Sequence, residues 1–168
     1  MASDAPLLEV SGISKAFPGV QALSSVDFVL HRGEVVALIG ENGAGKSTLM
    51  KVLAGVHRPD AGLLRLLGQA VELRGPADAL ARGIALIHQE LSLCDNLTVA
   101  AAVYLGAELR KGPFLRERAM QHGARAVLAQ VGLHVDPRQL VATLSPGQKQ
   151  LLEIGRALRA EARVLIMD

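Results

Sequence analysis

A segment with the residue types and spacing of a phosphate-binding loop spans residues 40–48, which read Gly40, Glu41, Asn42, Gly43, Ala44, Gly45, Lys46, Ser47 and Thr48. The pattern G-x-x-x-x-G-K-[ST] works between a strand and a helix, because backbone N–H groups at the loop and at the helix N-terminus must converge on phosphate oxygens. An apolar run at residues 34–39 precedes the loop, and helix-forming residues 49–54 follow it. We therefore predict strand, phosphate-binding loop and helix in this order.

Each fixed residue of the loop has a predicted role. Gly40, Gly43 and Gly45 are expected to take positive φ and to let the backbone approach the phosphates. Lys46 would reach the β- and γ-phosphates, and the Ser47 hydroxyl would ligate Mg²⁺. The alternative is a glycine-rich turn that only caps a helix. It is disfavoured because, at an average glycine usage of about 7%, the fixed positions would coincide by chance in well under about one in fifty chains of this length.

Composition limits the other classes of function. The chain has 168 residues, about one average domain, a net charge of +2 and 2% aromatic residues, so neither a basic surface nor base-stacking side chains indicate nucleic-acid binding. No apolar run approaches the roughly 18 residues of a membrane span, and we expect no secretory signal. The single cysteine, Cys94, excludes an internal disulfide, fits a reducing compartment and is expected to be packed.

Hydrophobic periodicity predicts an α/β fold with a mainly parallel sheet, interrupted by a helical insertion. The predicted strands are 7–13, 26–30, 34–39, 63–67, 70–73, 84–88 and 163–168. Helices are predicted after the loop with Gly55 at the C-terminal end, at 76–82, after a Thr98 cap, at 115–131 and from about Gly147. The loop, the strand ends and the helix N-termini are therefore the places where chemistry would concentrate.

Further segments resemble the nucleotide-binding domain of ABC transporters, and the resemblance covers the whole chain. Leu144-Ser-Pro-Gly-Gln148 resembles that family's signature, Leu-Ser-Gly-Gly-Gln, at the start of a helix. The resemblance implies that Ser145, Gly147 and Gln148 bind the γ-phosphate of ATP held by an opposite domain. A helix N-terminus favours an anion at this point, and Pro146 in place of the first glycine removes one N–H donor.

Three more positions match functional positions of the family. Gln89 matches the Q-loop glutamine, which implies contact with Mg²⁺ and the attacking water; the alternative is an ordinary polar residue after a strand. Phe17 matches the aromatic residue that stacks on adenine; the alternative is a core phenylalanine. Residues 164–168 resemble the Walker B strand, whose carboxylate, here Asp168, would hold Mg²⁺ through water.

The resemblance also implies an architecture. The expected fold class is a P-loop NTPase (ABC ATPase) core with an antiparallel β subdomain and a helical insertion, truncated after the Walker B strand. The core and β subdomain are expected at about 1–95 and 144–168, and the helical subdomain at about 96–143. In the family, the catalytic Glu follows the Walker B Asp, but this sequence stops at Asp168. We expect an N-terminal fragment that binds ATP·Mg poorly and shows no multiple-turnover ATPase activity.

Within the family, the phrases at 15–20, 40–48, 88–91 and 97–100 are similar to those of ATPases of bacterial monosaccharide importers of the ribose, galactose and xylose type. That branch usually has an acidic residue and Asn where this chain has Ala101 and Ala102. The implied cofactors are ATP and Mg²⁺. The implied partners are membrane permease subunits, a second nucleotide-binding domain and, indirectly, a sugar-binding protein, at the cytoplasmic face of the membrane.

Two alternatives remain open at this point. One is a soluble ABC ATPase acting in translation or DNA repair, which would show a long charged or coiled-coil insertion that this sequence lacks. The other is a non-catalytic nucleotide-binding remnant, which the missing Glu favours. The sequence does not indicate which sugar would be carried.

Overall fold

Two long antiparallel strands begin the fold in the computed structural model, which describes residues 5–87 and 93–168. β1 (Leu8–Phe17) and β2 (Val20–Leu30) form a hairpin, and β1 also pairs with β3 (Ala61–Leu66), which pairs with β4 (Gln69–Ala70). All three pairings are antiparallel, and the strand order is β2-β1-β3-β4. The strands predicted at 7–13, 26–30 and 63–67 therefore form, with shifted ends. The strand predicted at 70–73 is wrong except for Ala70, because β4 ends at that residue.

A β-bulge explains the burial pattern of β1. Leu8, Val10 and Ile13 are buried, although Val10 and Ile13 are an odd number of residues apart. The register with β2 shifts between these two residues, where Gly12 has φ 63° and its N–H donates to the Asp27 carboxylate at 2.7 Å. The extra residue returns Ile13 to the buried face.

Residues 34–39, predicted as the strand before the loop, form no strand, so this prediction is wrong for the structure. Val35 is 95% exposed and Ile39 is 93% exposed. The segment leaves a turn in which the His31 N–H donates to the Glu34 carboxylate at 2.7 Å. Apolar patterning favours a buried strand, but a strand exists only where a neighbour supplies ladder hydrogen bonds, and no described strand pairs with this segment.

Helix α1 (Lys46–Leu53) follows the loop, as predicted. It buries Leu49, Val52 and Leu53, and Gly55 ends it at φ 72°, where its N–H donates to the Val52 carbonyl at 3.0 Å. Helix α2 (Pro76–Ala81) and strand β5 (Ile84–Ile87) come next, close to their predicted positions.

The second half of the chain is mainly helical. Its elements are α3 (Val99–Val103), a hairpin of β6 (Arg110–Lys111) and β7 (Phe114–Leu115), α4 (Glu117–Gln130), a 3-10 turn (Val141–Thr143), α5 (Pro146–Arg159) and β8 (Val164–Met167). The Thr98 hydroxyl caps α3 by accepting from the Ala101 N–H at 3.2 Å, as predicted. The predicted helix 115–131 starts later, because Leu115 pairs in the β6–β7 hairpin that the sequence did not indicate. The expected packing of Cys94 is also wrong, since this residue is exposed.

The structure divides into two compact units, Met1–Leu86 with Asp168, and Ile87–Met167. The second has a core of apolar side chains from α3, α4 and α5, which includes Val99, Val103, Met120, Leu128 and Leu152. Within residues 5–87 and 93–168, no helix is long and apolar enough to cross a bilayer. Among the described residues, the four-stranded sheet is antiparallel throughout, so the prediction of a mainly parallel sheet is wrong for these strands. A short turn, and not a helical crossover, joins β1 to β2 and β3 to β4, and such a turn joins only antiparallel strands. The subdomain boundaries stay predictions.

Candidate functional site

Two glycines of the loop at 40–48 have the backbone conformation that the sequence predicted. Gly43 has φ 85° and Gly45 has φ 84°, in the left-handed region that favours glycine. Gly40 does not have positive φ, so this part of the prediction is wrong. A Cβ on Gly40 would lie 3.3 Å from the Cβ of Ala44, which is a tight contact that a small shift of Ala44 would relieve.

Gly45 is constrained in a second way that the sequence did not reveal. A Cβ at this position would lie 2.3 Å from the Ala22 carbonyl oxygen and 3.0 Å from Cδ2 of Leu23. The loop therefore packs directly against the backbone of β2 at the point where α1 begins. This close approach sets the position of the α1 N-terminus, where the first N–H groups of a helix have no intrahelical acceptor.

The ammonium group of Lys46 lies over the start of its own loop. Its Nζ donates to the carbonyls of Gly40 and Glu41, at 2.8 Å each. The Ala44 N–H donates to the Glu41 carbonyl at 3.2 Å, which closes the turn that contains Asn42. A lysine charge, the N-terminus of α1 and a mostly exposed loop therefore meet in one place, which is an arrangement suited to a phosphate chain.

Ser47 and Asp168 are in contact within the first unit. The Ser47 hydroxyl donates to the Asp168 carboxylate at 2.7 Å. Thr48, the next loop residue, is half-buried in the first turn of α1. Mg²⁺ prefers oxygen ligands and is commonly held by one or two protein oxygens together with substrate phosphates, so this pair fits the cation. Among the described residues no group of three His, Cys, Asp or Glu side chains offers a metal site.

Phe17 is at the end of β1, with 38% of its surface exposed. The His57 ring packs against it edge to face, with the centroids 5.3 Å apart and the planes at 72°. The Lys15 ammonium lies 5.7 Å from the Phe17 centroid. A partly exposed aromatic ring can accept a second ring, and the stacking of adenine on Phe17 stays a prediction. The contact with His57 was missed, and no spacing in the sequence signals it.

Asp60 fixes the residues beside Phe17. Its carboxylate accepts from the Lys15 ammonium and from the Ala16 N–H, each at 2.7 Å. These contacts, first the side-chain hydrogen bond from Lys15 and then the backbone bond from Ala16, lower the pKa of Asp60. These hydrogen bonds thereby tie the connection between α1 and β3 to the end of β1, next to Phe17.

The segment 144–148 opens helix α5 as predicted. Ser145 is the N-cap and Pro146 the first helical residue. The Ser145 hydroxyl accepts from the Gln148 N–H at 3.4 Å, and the Gln148 side chain accepts from the Ser145 N–H at 2.9 Å, which is a capping box. Nothing lies within 4 Å of a Cβ built on Gly147. The Ser-x-x-Gln spacing could have predicted this box. Gln89 lies outside the described residues.

Comparisons with known proteins agree with this geometry. The sequence model of a family described as "ABC transporter" matches residues 23–168. The chain is 50% identical over 169 residues to a "Putative ribose/galactose/methyl galactoside import ATP-binding protein 3" from Burkholderia ambifaria, covering 99% of this chain and 33% of that protein. It is 50% identical over 163 residues to "Ribose import ATP-binding protein RbsA 1" from Rubrobacter xylanophilus, covering 97% and 33%. The chain thus spans about a third of the length of these relatives.

Solved structures give the same result. One is cbiO1 from Clostridium perfringens, part of an ABC transporter complex, with a TM-score of 0.81 and 26% identity over 98% of this chain and 66% of that one. Another is a nucleotide-free ATP-binding cassette of an ABC transporter, with a TM-score of 0.82 and 27% identity over 97% and 68%. These similarities confirm the predicted fold class.

Proposed function

Because the chain belongs to the ABC transporter family, we propose that it supplies ATP binding and energy coupling to an importer of monosaccharides of the ribose and galactose type. The observation that carries the proposal is the meeting of Lys46, Ser47 and Asp168 at the N-terminus of α1. Relatives about half identical to this chain carry names of ribose and galactose import proteins, which supports the choice of substrate class.

The phosphate chain of ATP would lie along residues 40–48. Lys46 would exchange its two carbonyl acceptors, on Gly40 and Glu41, for oxygens of the β- and γ-phosphates. Such an exchange is favourable, because a charged donor binds a charged oxygen more strongly than a neutral carbonyl. Backbone N–H groups of the loop and of the α1 N-terminus would complete the phosphate contacts.

Mg²⁺ would be held by Ser47 and Asp168, whose oxygen atoms already meet at 2.7 Å. When bound, the cation would supply charge neutralisation at the β- and γ-phosphates. The protein's own part is to keep the serine hydroxyl and the carboxylate side by side. Gln89 is proposed as a further contact to Mg²⁺.

The adenine ring would stack on Phe17. This ring is partly exposed, and His57 and Asp60 hold its surroundings in place. Stacking on an aromatic face binds a base by its π-surface. By stacking on adenine, Phe17 would therefore make the site bind ATP more tightly than a polyphosphate that has no base.

Ser145, Gly147 and Gln148 would bind the γ-phosphate of a nucleotide held by a second nucleotide-binding domain. The capping box already places the Ser145 and Gln148 side chains at the N-terminus of α5, and the space around Gly147 is open. Closure of two such domains on ATP would drive permease subunits between two conformations. We place the protein at the cytoplasmic face of the membrane, beside those subunits, with a sugar-binding protein as an indirect partner.

The test is sugar uptake by the native host. Replacing Lys46→Ala in the chromosomal gene should abolish ATP-dependent uptake of at least one labelled monosaccharide among ribose, galactose and xylose. The matched control, Lys51→Ala in the last turn of α1, removes a lysine outside the loop and should leave uptake intact. If all three sugars enter Lys46→Ala cells at the wild-type rate while the protein is present, the proposal is wrong. A defect in translation or DNA repair in place of uptake would indicate a soluble ABC ATPase.

A further inference from the structure

A hairpin in the second unit projects from its helical core. Residues 109–118 are all exposed, and they include the paired strands β6 and β7. The hairpin is closed by the Arg116 N–H, which donates to the Leu109 carbonyl at 2.8 Å, and it turns at Gly112, where φ is 60°. The backbone of this protrusion is therefore well defined.

The hairpin carries apolar side chains that do not pack. Phe114 is 75% exposed, Leu115 is 47% exposed and Leu109 is 36% exposed. Exposed apolar surface gains free energy when it leaves water, and a phenylalanine offers more of it than most residues. A partner that binds the hairpin would therefore have to offer apolar surface to these side chains.

Basic residues flank the exposed Phe114 in the sequence. Within 109–118 there are four basic residues and one acidic residue, namely Arg110, Lys111, Arg116, Arg118 and Glu117. Arg110 also contacts Glu108 at 3.5 Å, just before the hairpin. The protrusion is thus positive, although the whole chain is close to neutral at +2. Charge complementarity indicates an acidic partner.

The register of the strands shows how the two kinds of side chain are arranged. Lys111 pairs with Phe114, and Arg110 pairs with Leu115. Cross-strand partners share one face of a hairpin, so each face carries one basic and one apolar side chain. A flat patch on another protein would cover one face and would leave the apolar side chain of the other face in water. The interfacial layer of a bilayer surrounds an inserted tip on both faces.

We propose that the hairpin at 109–118 binds the surface of an anionic phospholipid membrane. Phe114 and Leu115 enter the boundary between headgroups and acyl chains, while the basic residues bind lipid phosphates. The contact is weak and reversible, because a few apolar side chains and charges give far less binding than a spanning helix. It uses none of the nucleotide-loop residues.

The first test is co-sedimentation of the chain with phosphatidylcholine vesicles, with and without phosphatidylglycerol. We expect binding to the vesicles that contain phosphatidylglycerol, and a decrease of about tenfold for Phe114→Ser. The matched control is Val35→Ser, which removes an apolar side chain that is 95% exposed but lies outside the hairpin. Its affinity should match that of the wild type. Equal losses in the two variants would overturn the proposal, as would absence of binding at low salt.

A second measurement reports insertion at a single position. The chain contains no tryptophan, so Phe114→Trp introduces one fluorophore at the tip. Its emission should shift to the blue with the anionic vesicles, and brominated lipid should quench it. Val20→Trp, at a residue that is 62% exposed in the first unit, should do neither. Unchanged emission from Phe114→Trp, or an equal shift in the two variants, would contradict insertion.

The charge contribution has its own control. Lys111→Gln should weaken binding to the anionic vesicles about fivefold, since each basic residue near a charged membrane contributes a comparable factor. Arg32→Gln removes one positive charge from an exposed position in the first unit and should have no effect. Added salt should weaken wild-type binding. Equal binding to neutral and anionic vesicles, or binding that needs an added acidic protein, would refute a lipid partner.

Discussion

The Ser47 hydroxyl donates a hydrogen bond of 2.7 Å to the Asp168 carboxylate, although 121 residues separate the two in the sequence. Ser47 belongs to the first turn of α1, and Asp168 directly follows β8. Their contact brings the loop and the end of the Walker B-like segment to one point. It supports the proposal that Mg²⁺ and the β- and γ-phosphates bind there.

Coupling between these two side chains gives the first prediction. Ser47→Ala and Asp168→Asn should each weaken ATP binding in the presence of Mg²⁺ by about tenfold, because the first removes the hydroxyl ligand and the second removes the negative charge that faces the same cation. The double variant should be little weaker than either single variant. Titration of ATP with Mg²⁺ and with EDTA measures the effect. Additive losses would show that the two residues act separately. Equal losses with and without Mg²⁺ would show that the two residues do not act through the cation.

Two glycines of the loop allow a matched stability comparison. Gly43→Ala should lower the free energy of unfolding by about 1–2 kcal/mol, the cost of a left-handed conformation in a residue with a Cβ. Gly45→Ala should cost about 1–3 kcal/mol more, because its Cβ would also meet the Ala22 carbonyl oxygen at 2.3 Å. Urea unfolding followed by circular dichroism measures both. Similar stabilities for the two variants would show that the loop does not pack on β2.

The capping box of α5 gives a third prediction. Ser145→Ala should lower the free energy of unfolding by about 1 kcal/mol, because the Gln148 N–H loses its acceptor. Ser145→Thr keeps the hydroxyl and should retain most of the stability. Thermal melts of the two variants provide the measurement. A Ser145→Ala protein as stable as the wild type would mean that the cap contributes nothing and that the serine serves a ligand alone.

Phe17 can be tested by comparing ligands with and without a base. Phe17→Ala should weaken ATP binding about tenfold but leave tripolyphosphate binding unchanged, since only ATP has a base to stack. Phe17→Tyr should keep the affinity for ATP. Competition between each ligand and a fluorescent nucleotide measures the difference. Equal weakening of both ligands would show that Phe17 supports the loop and does not contact adenine.

Local signals in the sequence predicted much of the site. The positive φ of Gly43 and Gly45 and the Thr98 cap depend on neighbouring residues in the chain, and the structure has each of them as predicted. The segment 144–148 also opens a helix where the sequence placed one. The helix after Lys46 and the strands predicted at 7–13 and 26–30 depend on the same kind of short-range pattern.

What sequence reasoning missed depends on partners distant in the chain. Val35 and Ile39 have strand-like composition, but ladder partners decide whether a strand forms. His57 meets Phe17, and Gly45 meets Ala22, only because the sheet brings them together. The β6–β7 hairpin was missed, and its last residue, Leu115, was assigned to the helix that follows, because the two strands have two residues each and show no alternation.

The central claim is that residues 40–48 bind the phosphates of ATP through Lys46. We expect weak binding, because the segment before the loop forms no strand. The direct measurement is therefore saturation-transfer difference NMR of Mg·ATP, which detects ligands of low affinity. We predict a signal from ATP that Lys46→Ala reduces at least about tenfold and that Lys51→Ala preserves. An undiminished signal in a folded Lys46→Ala protein would contradict the account.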